Sequence, residues 1–151
     1  MSYLNDHPIN EKWFQEKITS ETVTYTENFA KHLVEEEKVQ NNFVTLPLTT
    51  SQLRKFFGAV KNLQMDVLVS GYNESDFIML KPKLAYAVGR VHKQYSKCRE
   101  RRIEDFAEVI SKAIDIVNSC KDKELAFNNF MNFFEAIVAY HKRYGKDNLN
   151  K

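Results

Sequence analysis

Apolar residues along this chain recur at intervals of three and four rather than two, and five stretches carry that helical period. The first runs from Glu21 to Gln40, with Tyr25, Phe29, Leu33 and Val34 at helical spacing; Asn41 and Asn42 fray its end, and Pro47 closes the next linker. The second opens at Thr49, Thr50 and Ser51, whose hydroxyls suit the free amides of a helix start. It continues to about Ser70, and Leu53, Phe56, Phe57, Val60, Leu63 and Val67 make one apolar face. After a polar turn at 71–75, Ser75 or Asp76 is expected to cap a third helix from Phe77 to about Lys97, with Leu80, Leu84, Ala87 or Val88, Val91 and Tyr95 inward and Pro82 in its first turns. A fourth, Ile103 to Asn118, turns Ile103, Phe106, Ala107, Ile110, Ile114 and Val117 to the core. The fifth, about Lys123 to Tyr144, is the richest in apolar residues, and Gly145 stands where a left-handed cap is expected.

Composition sharpens this picture. Glycine and proline together supply seven of 151 residues, well under the usual share of about 12%, which favours long helices over sandwiches, barrels or disorder. The predicted fold class is therefore all-α, a single small bundle of about five helices. A chain of this length buries roughly 70% of its unfolded surface and needs no disulfide staples. No apolar run approaches the roughly 20 residues that cross a bilayer, so no membrane contact is expected. The expected organisation is an N-terminal extension at 1–20, a helical domain at 21–146 and a short tail at 147–151. The first residues lack the basic cluster and apolar core of a secretory signal. Cys98 and Cys120 lack the spacing of a zinc site, which suits reduced thiols in a cytoplasmic setting. In the fifth stretch Phe127, Phe130, Phe133, Phe134 and Ile137 exceed one narrow stripe, as in a central helix or one that also meets a second protein; core is the favoured reading.

Signatures of catalysis are missing from the sequence. There is no Walker loop, dinucleotide fingerprint or nucleophile elbow, and the four glycines stand apart. No H-E-x-x-H occurs among His7, His32, His92 and His141. His32 with Glu35 and Glu36 shares a helix face at metal-ligand spacing, but a packed or solvated imidazole is the simpler reading. Glu104, Asp105 and Glu108 sit at a helix start, where carboxylates offset the helix dipole. No cofactor, no metal and no enzymatic activity are expected.

Charge is distributed unevenly. Residues 1–40 carry a net −4, residues 41–102 a net +7 and residues 103–151 a net −1, so the basic block lies in the middle. Within it Lys83, Tyr86, Arg90, Lys93 and Lys97 have spacings of three and four, one stripe beside the buried face of the third helix. On the second helix Arg54 and Lys61 stand two turns apart, roughly 10 Å, with Gly58 between them. Such a stripe can meet phosphates along a strand without reading bases.

Three segments carry a further signal. They are Leu48-Thr49-Thr50-Ser51-Gln52-Leu53-Arg54-Lys55-Phe56-Phe57, then Leu80-Lys81-Pro82-Lys83-Leu84-Ala85-Tyr86-Ala87-Val88-Gly89-Arg90, and Phe133-Phe134-Glu135-Ala136-Ile137-Val138-Ala139-Tyr140-His141-Lys142-Arg143-Tyr144-Gly145. In order and spacing they resemble the small subunit of the type III-A CRISPR RNA-guided effector, the Csm complex, across Glu21 to Gly145. The resemblance implies a non-catalytic helical bundle whose copies line up along the guide RNA and target RNA duplex. Its partners would be both RNAs, the backbone and large polymerase-like subunits of that effector, and neighbouring copies of itself. Arg54, Lys55 and Arg90 match the family's basic positions that face RNA, and helix geometry extends the candidate set to Lys61, Lys81 and Lys83. Residues 1–20, with Trp13 and Phe14, have no counterpart in these motifs. The run Lys97, Arg99, Arg101, Arg102 is more basic than the family pattern and reads as an exposed interhelical loop.

Taken together, the sequence reads as a sequence-independent RNA-backbone binder acting in antiviral defence. One rival is a helical adaptor that binds only proteins through the aromatic surface of the last helix. Another is a small hydrolase built on His32 and Glu36, or on His141 with a nearby acid.

Overall fold

Each long helix begins where a side chain can take up free amide hydrogens or where a preceding element hands the chain on, and these starts decide the architecture. The computed structural model describes residues 2–145. Thr19 caps helix α3 (Ser20–Leu33) and Thr49 caps α4 (Thr50–Ser70), each in a reciprocal capping box with the residue three positions on. Asn73 caps the short α5 (Glu74–Ile78), and Asp122 caps α8 (Lys123–Tyr144). Two four-residue helices, α1 (Tyr3–Asp6) and α2 (Lys12–Gln15), precede these, and α6 (Leu80–Gln94) and α7 (Arg102–Ser119) complete the set without side-chain caps. The protein is helical with five long helices, as its apolar periodicity predicts, and the second, fourth and fifth expected stretches are recovered nearly residue for residue.

Four local expectations need correction. The first stretch stops at Leu33, because three glutamates at 35–37 oppose the negative end of the helix dipole. The chain turns instead into a hairpin of β1 (Glu37–Val39) and β2 (Asn42–Leu46), with Gln40 and Asn41 at φ 54° and 70°. Positive φ at both central residues matches the twist that a two-residue antiparallel hairpin requires. A third strand, β3 (Glu100–Arg101), joins β2 in parallel at Thr45–Glu100 and Leu46–Arg101. The third stretch is two helices that break at Met79, which places Pro82 in the first turn of α6, and its cap is Asn73 rather than Ser75 or Asp76. The helix then ends at Gln94, short of Lys97. Finally, Gly145 ends α8 in an extended conformation (φ −73°). Its need for glycine is spatial, since a Cβ there would lie 2.8 Å from the carbonyl oxygen of His141.

Helix α8 runs through the centre of the molecule and packs on α2, α3, α4 and α7. Its four phenylalanines are core: Phe127, Phe130, Phe133 and Phe134 are all essentially inaccessible. They meet partners edge to face, Phe130 against Phe77 at 4.9 Å between centroids, Phe133 against Phe14 at 5.3 Å and Phe134 against Phe56 at 5.7 Å, an arrangement aromatic quadrupoles favour. Trp13 and Phe14, from the segment expected as an N-terminal extension, lie in this same core. The amide of Asn129 donates to the Phe14 carbonyl at 2.9 Å and so fastens α2 to α8. Leu48 ties three helix ends together: its N–H donates to Leu33 O at 2.8 Å, and its carbonyl accepts from His141 Nε2, also at 2.8 Å. Both cysteines are buried and free. The expected tail at 147–151 lies outside the described residues.

Candidate nucleic-acid interface

The capping box at Thr49 fixes the phase of α4. Thr49 Oγ1 accepts from Gln52 N at 3.1 Å, and Gln52 Oε1 accepts from Thr49 N at 2.9 Å. From that start Leu53, Phe56, Val60 and Leu63 turn inward, which leaves Arg54, Lys55 and Gly58 outside. On α6 the inward residues are Leu80, Leu84 and Val91, and Lys83, Tyr86 and Arg90 stand exposed along one line.

Where the two helices pack, a groove of about 330 Å³ opens between them. Lys55, Phe56 and Ala59 form its α4 side, and Lys83, Tyr86 and Arg90 its α6 side. No carboxylate lines it among the described residues. None of Lys55, Lys83 and Arg90 forms an ion pair with a described residue. The Arg90 guanidinium lies 6.0 Å from the centroid of the Tyr86 ring, and that residue is 70% exposed.

The other three candidate cations stand elsewhere. Arg54 is exposed but lies outside the residues that line the groove. Lys61 Nζ donates to Glu135 Oε2 of α8 at 3.0 Å, and Lys81 Nζ to Asp115 Oδ1 of α7 at 2.7 Å. Lys55, Lys83 and Arg90 are thus brought together, whereas Lys61 and Lys81 are each held by a carboxylate. Tyr86 completes the groove; its position three residues after Lys83 and four before Arg90 was the sequence signal for it.

A second cleft, of about 500 Å³, has the opposite electrostatics. His32, Glu35, Arg101, Arg102, Glu104 and Asp105 line it and pair with one another. Arg102 donates to Glu35 at 2.8 Å and to Glu100 at 2.7 Å, Arg101 Nε donates to Glu104 at 2.7 Å, and His32 Nε2 is 2.7 Å from Asp105. Two of the four residues in the expected basic loop are therefore ion-paired and largely enclosed, and only Lys97 and Arg99 are exposed. Glu36 is exposed and does not join His32. His141 is buried, and that burial holds its imidazole below the ordinary range, partly offset by the bond to Leu48. No group of three side chains placed to hold a metal occurs among the described residues, and no described helix is long and apolar enough to cross a membrane.

Fold and groove define a small helical protein that collects unpaired cations at the junction of two helices. Comparison with known proteins gives the family: the Csm2 Type III-A family model matches residues 16–147. A curated relative, the CRISPR system Cms protein Csm2 of Enterococcus italicus, is 31% identical over 129 residues, covering 78% of this chain and 87% of that protein. No solved structure matches the chain. The chain belongs to the Csm2 Type III-A family, a type III-A Csm small subunit.

Proposed function

We propose that this subunit is non-catalytic and holds the sugar-phosphate backbone of guide RNA and target RNA without reading sequence, while bridging neighbouring subunits in a cytoplasmic antiviral ribonucleoprotein. The observation that carries this reading is the groove between α4 and α6, where three cations stand free of carboxylates among the described residues. Arg90 suits two phosphate oxygens at once, and Lys55 and Lys83 act as compact charges. Arg54 extends the basic face along α4. Lys61 and Lys81 join the contact only by leaving Glu135 and Asp115, which ranks them below the others.

A lone copy contacts few phosphates, so affinity grows when copies repeat along one strand. The test is a salt titration of RNA binding by the assembled complex. Replacing Lys83 and Arg90 together by alanine is expected to flatten the slope of log K against log salt by about 0.7 to 0.9 per lost contact. An unchanged slope and affinity remove the groove from the RNA path. The adaptor reading has less to stand on, because the four phenylalanines of α8 are core and only Tyr140 and Tyr144 are half-buried.

A further inference from the structure

The groove is better furnished than a phosphate site requires. Phosphates bound by lysine and arginine stay at a hydrated rim, yet here the rim surrounds an apolar floor made by Phe56, Ala59, Ala87 and Val91. Its volume of about 330 Å³ falls within the range of small-molecule sites. Tyr86 stands at the edge with 70% of its surface open to solvent, in mid-helix, where a polar residue would serve solubility better. Arg90 lies one turn on and 6.0 Å from the ring centroid, so an aromatic ring and a guanidinium lie side by side. Both surfaces stack on nucleobases, and stacking tolerates any base because every base has a π face.

The other exposed apolar side chains differ in kind. Met65, Leu68 and Val69 near the end of α4 are aliphatic and lie outside the residues of the cation-rimmed groove. The polar cleft beside β3 is lined by carboxylates as well as arginines, and its Arg101 and Arg102 are each engaged by a glutamate. Only the α4–α6 groove, among the described clefts, combines an apolar floor, an exposed aromatic ring and cations without carboxylate partners.

We propose that this groove receives an unstacked nucleobase, with Tyr86 as its platform and Lys55, Lys83 and Arg90 on the flanking phosphates. The inference rests on the RNA-backbone reading of the same groove and adds the part of the RNA that enters the protein. An RNA segment with a free base fits the groove, whereas a fully paired segment presents only its backbone to the rim. Sequence indifference is retained, because a stacking platform reads no hydrogen-bonding edge.

The experiment compares a single-stranded oligouridylate with a backbone of equal length that carries abasic sites, each titrated against the full chain alone and in the assembled Csm complex. Wild-type protein is expected to prefer the oligouridylate by roughly five-fold to a hundred-fold. Tyr86→Ala should erase the preference, and Tyr86→Phe should keep it. Equal binding of both probes by the wild type, with both weakened by Lys83→Ala/Arg90→Ala, overturns the base site and leaves the phosphate reading standing. Should Lys83→Ala/Arg90→Ala change neither titration, the RNA reading itself falls and the base site with it. Competition by polyglutamate as strong as that by the oligouridylate would make the groove a dock for an acidic peptide and overturn the proposal by another route.

Discussion

Lys61 of α4 and Glu135 of α8 meet at 3.0 Å, and this bond sorts the basic residues of the chain into those that hold the fold and those that remain available. Their side chains are 44% and 40% exposed, so solvent screens the pair and its contribution is small, about 0.2 to 1 kcal/mol. Lys61→Ala should therefore lower stability by that amount while leaving the salt slope of RNA binding nearly intact, and Lys81→Ala should behave in the same way through Asp115. Lys83→Ala should do the reverse. Urea unfolding and RNA titration on the same three variants check the sorting.

Gly58 and Gly89 lie in the interiors of α4 and α6, and a Cβ at either would meet nothing within 4 Å. Glycine costs about 0.5 to 1 kcal/mol against alanine in a helix interior. Gly58→Ala and Gly89→Ala should each raise the unfolding midpoint in thermal melts. A loss of RNA affinity in a variant that has gained stability would place that methyl against the ligand, since the chain itself offers no clash.

Phe14 is fully buried against Phe133, with ring centroids 5.3 Å apart. Removing its ring leaves a cavity beside the central helix, and Phe14→Ala should cost about 3 to 5 kcal/mol. Trp13, the one tryptophan of the chain, is buried and adjacent in sequence, so its emission reports the loss directly in equilibrium unfolding.

Burial depresses the His141 imidazole in the folded protein, and the unfolded chain takes up a proton at the ordinary value. Between the folded and unfolded values the unfolded state binds more protons, so stability rises with pH across that window. The contribution is fully present above about pH 6.5 and is lost as pH falls toward the folded value. His141→Gln keeps a donor for the Leu48 carbonyl without titrating there. Denaturant unfolding across this range should show a shallower dependence on pH in the variant than in the wild type.

The legibility of each element in the sequence depends on the range of the interactions that form it. Thr49 and Gln52 are three residues apart, so the start of α4 is written locally, and the 22 residues of α8 advertise their period. The hairpin leaves almost no periodic trace, because β1 has three residues and β2 five, and its turn uses Gln40 and Asn41 where glycine would have signalled it. Strand β3 depends on pairing Thr45 with Glu100, a contact no local pattern encodes. The candidate site divides in the same way. Helical spacing puts Lys83, Tyr86 and Arg90 on one line, but only packing reveals that Lys55 stands across from them and that Lys61 is engaged by a glutamate 74 positions away.

Leu48 gives the molecule a mechanical consequence. The residue before the cap of α4 is held at once by the last turn of α3 and by the closing turns of α8. The segment entering α4 is therefore tethered to two other helix ends, and the bonded amides of its opening turn, Gln52 on the Thr49 hydroxyl and Leu53 on the Thr49 carbonyl, should exchange with deuterium more slowly than those of an untethered helix start. One wall of the groove is thereby pinned at its base.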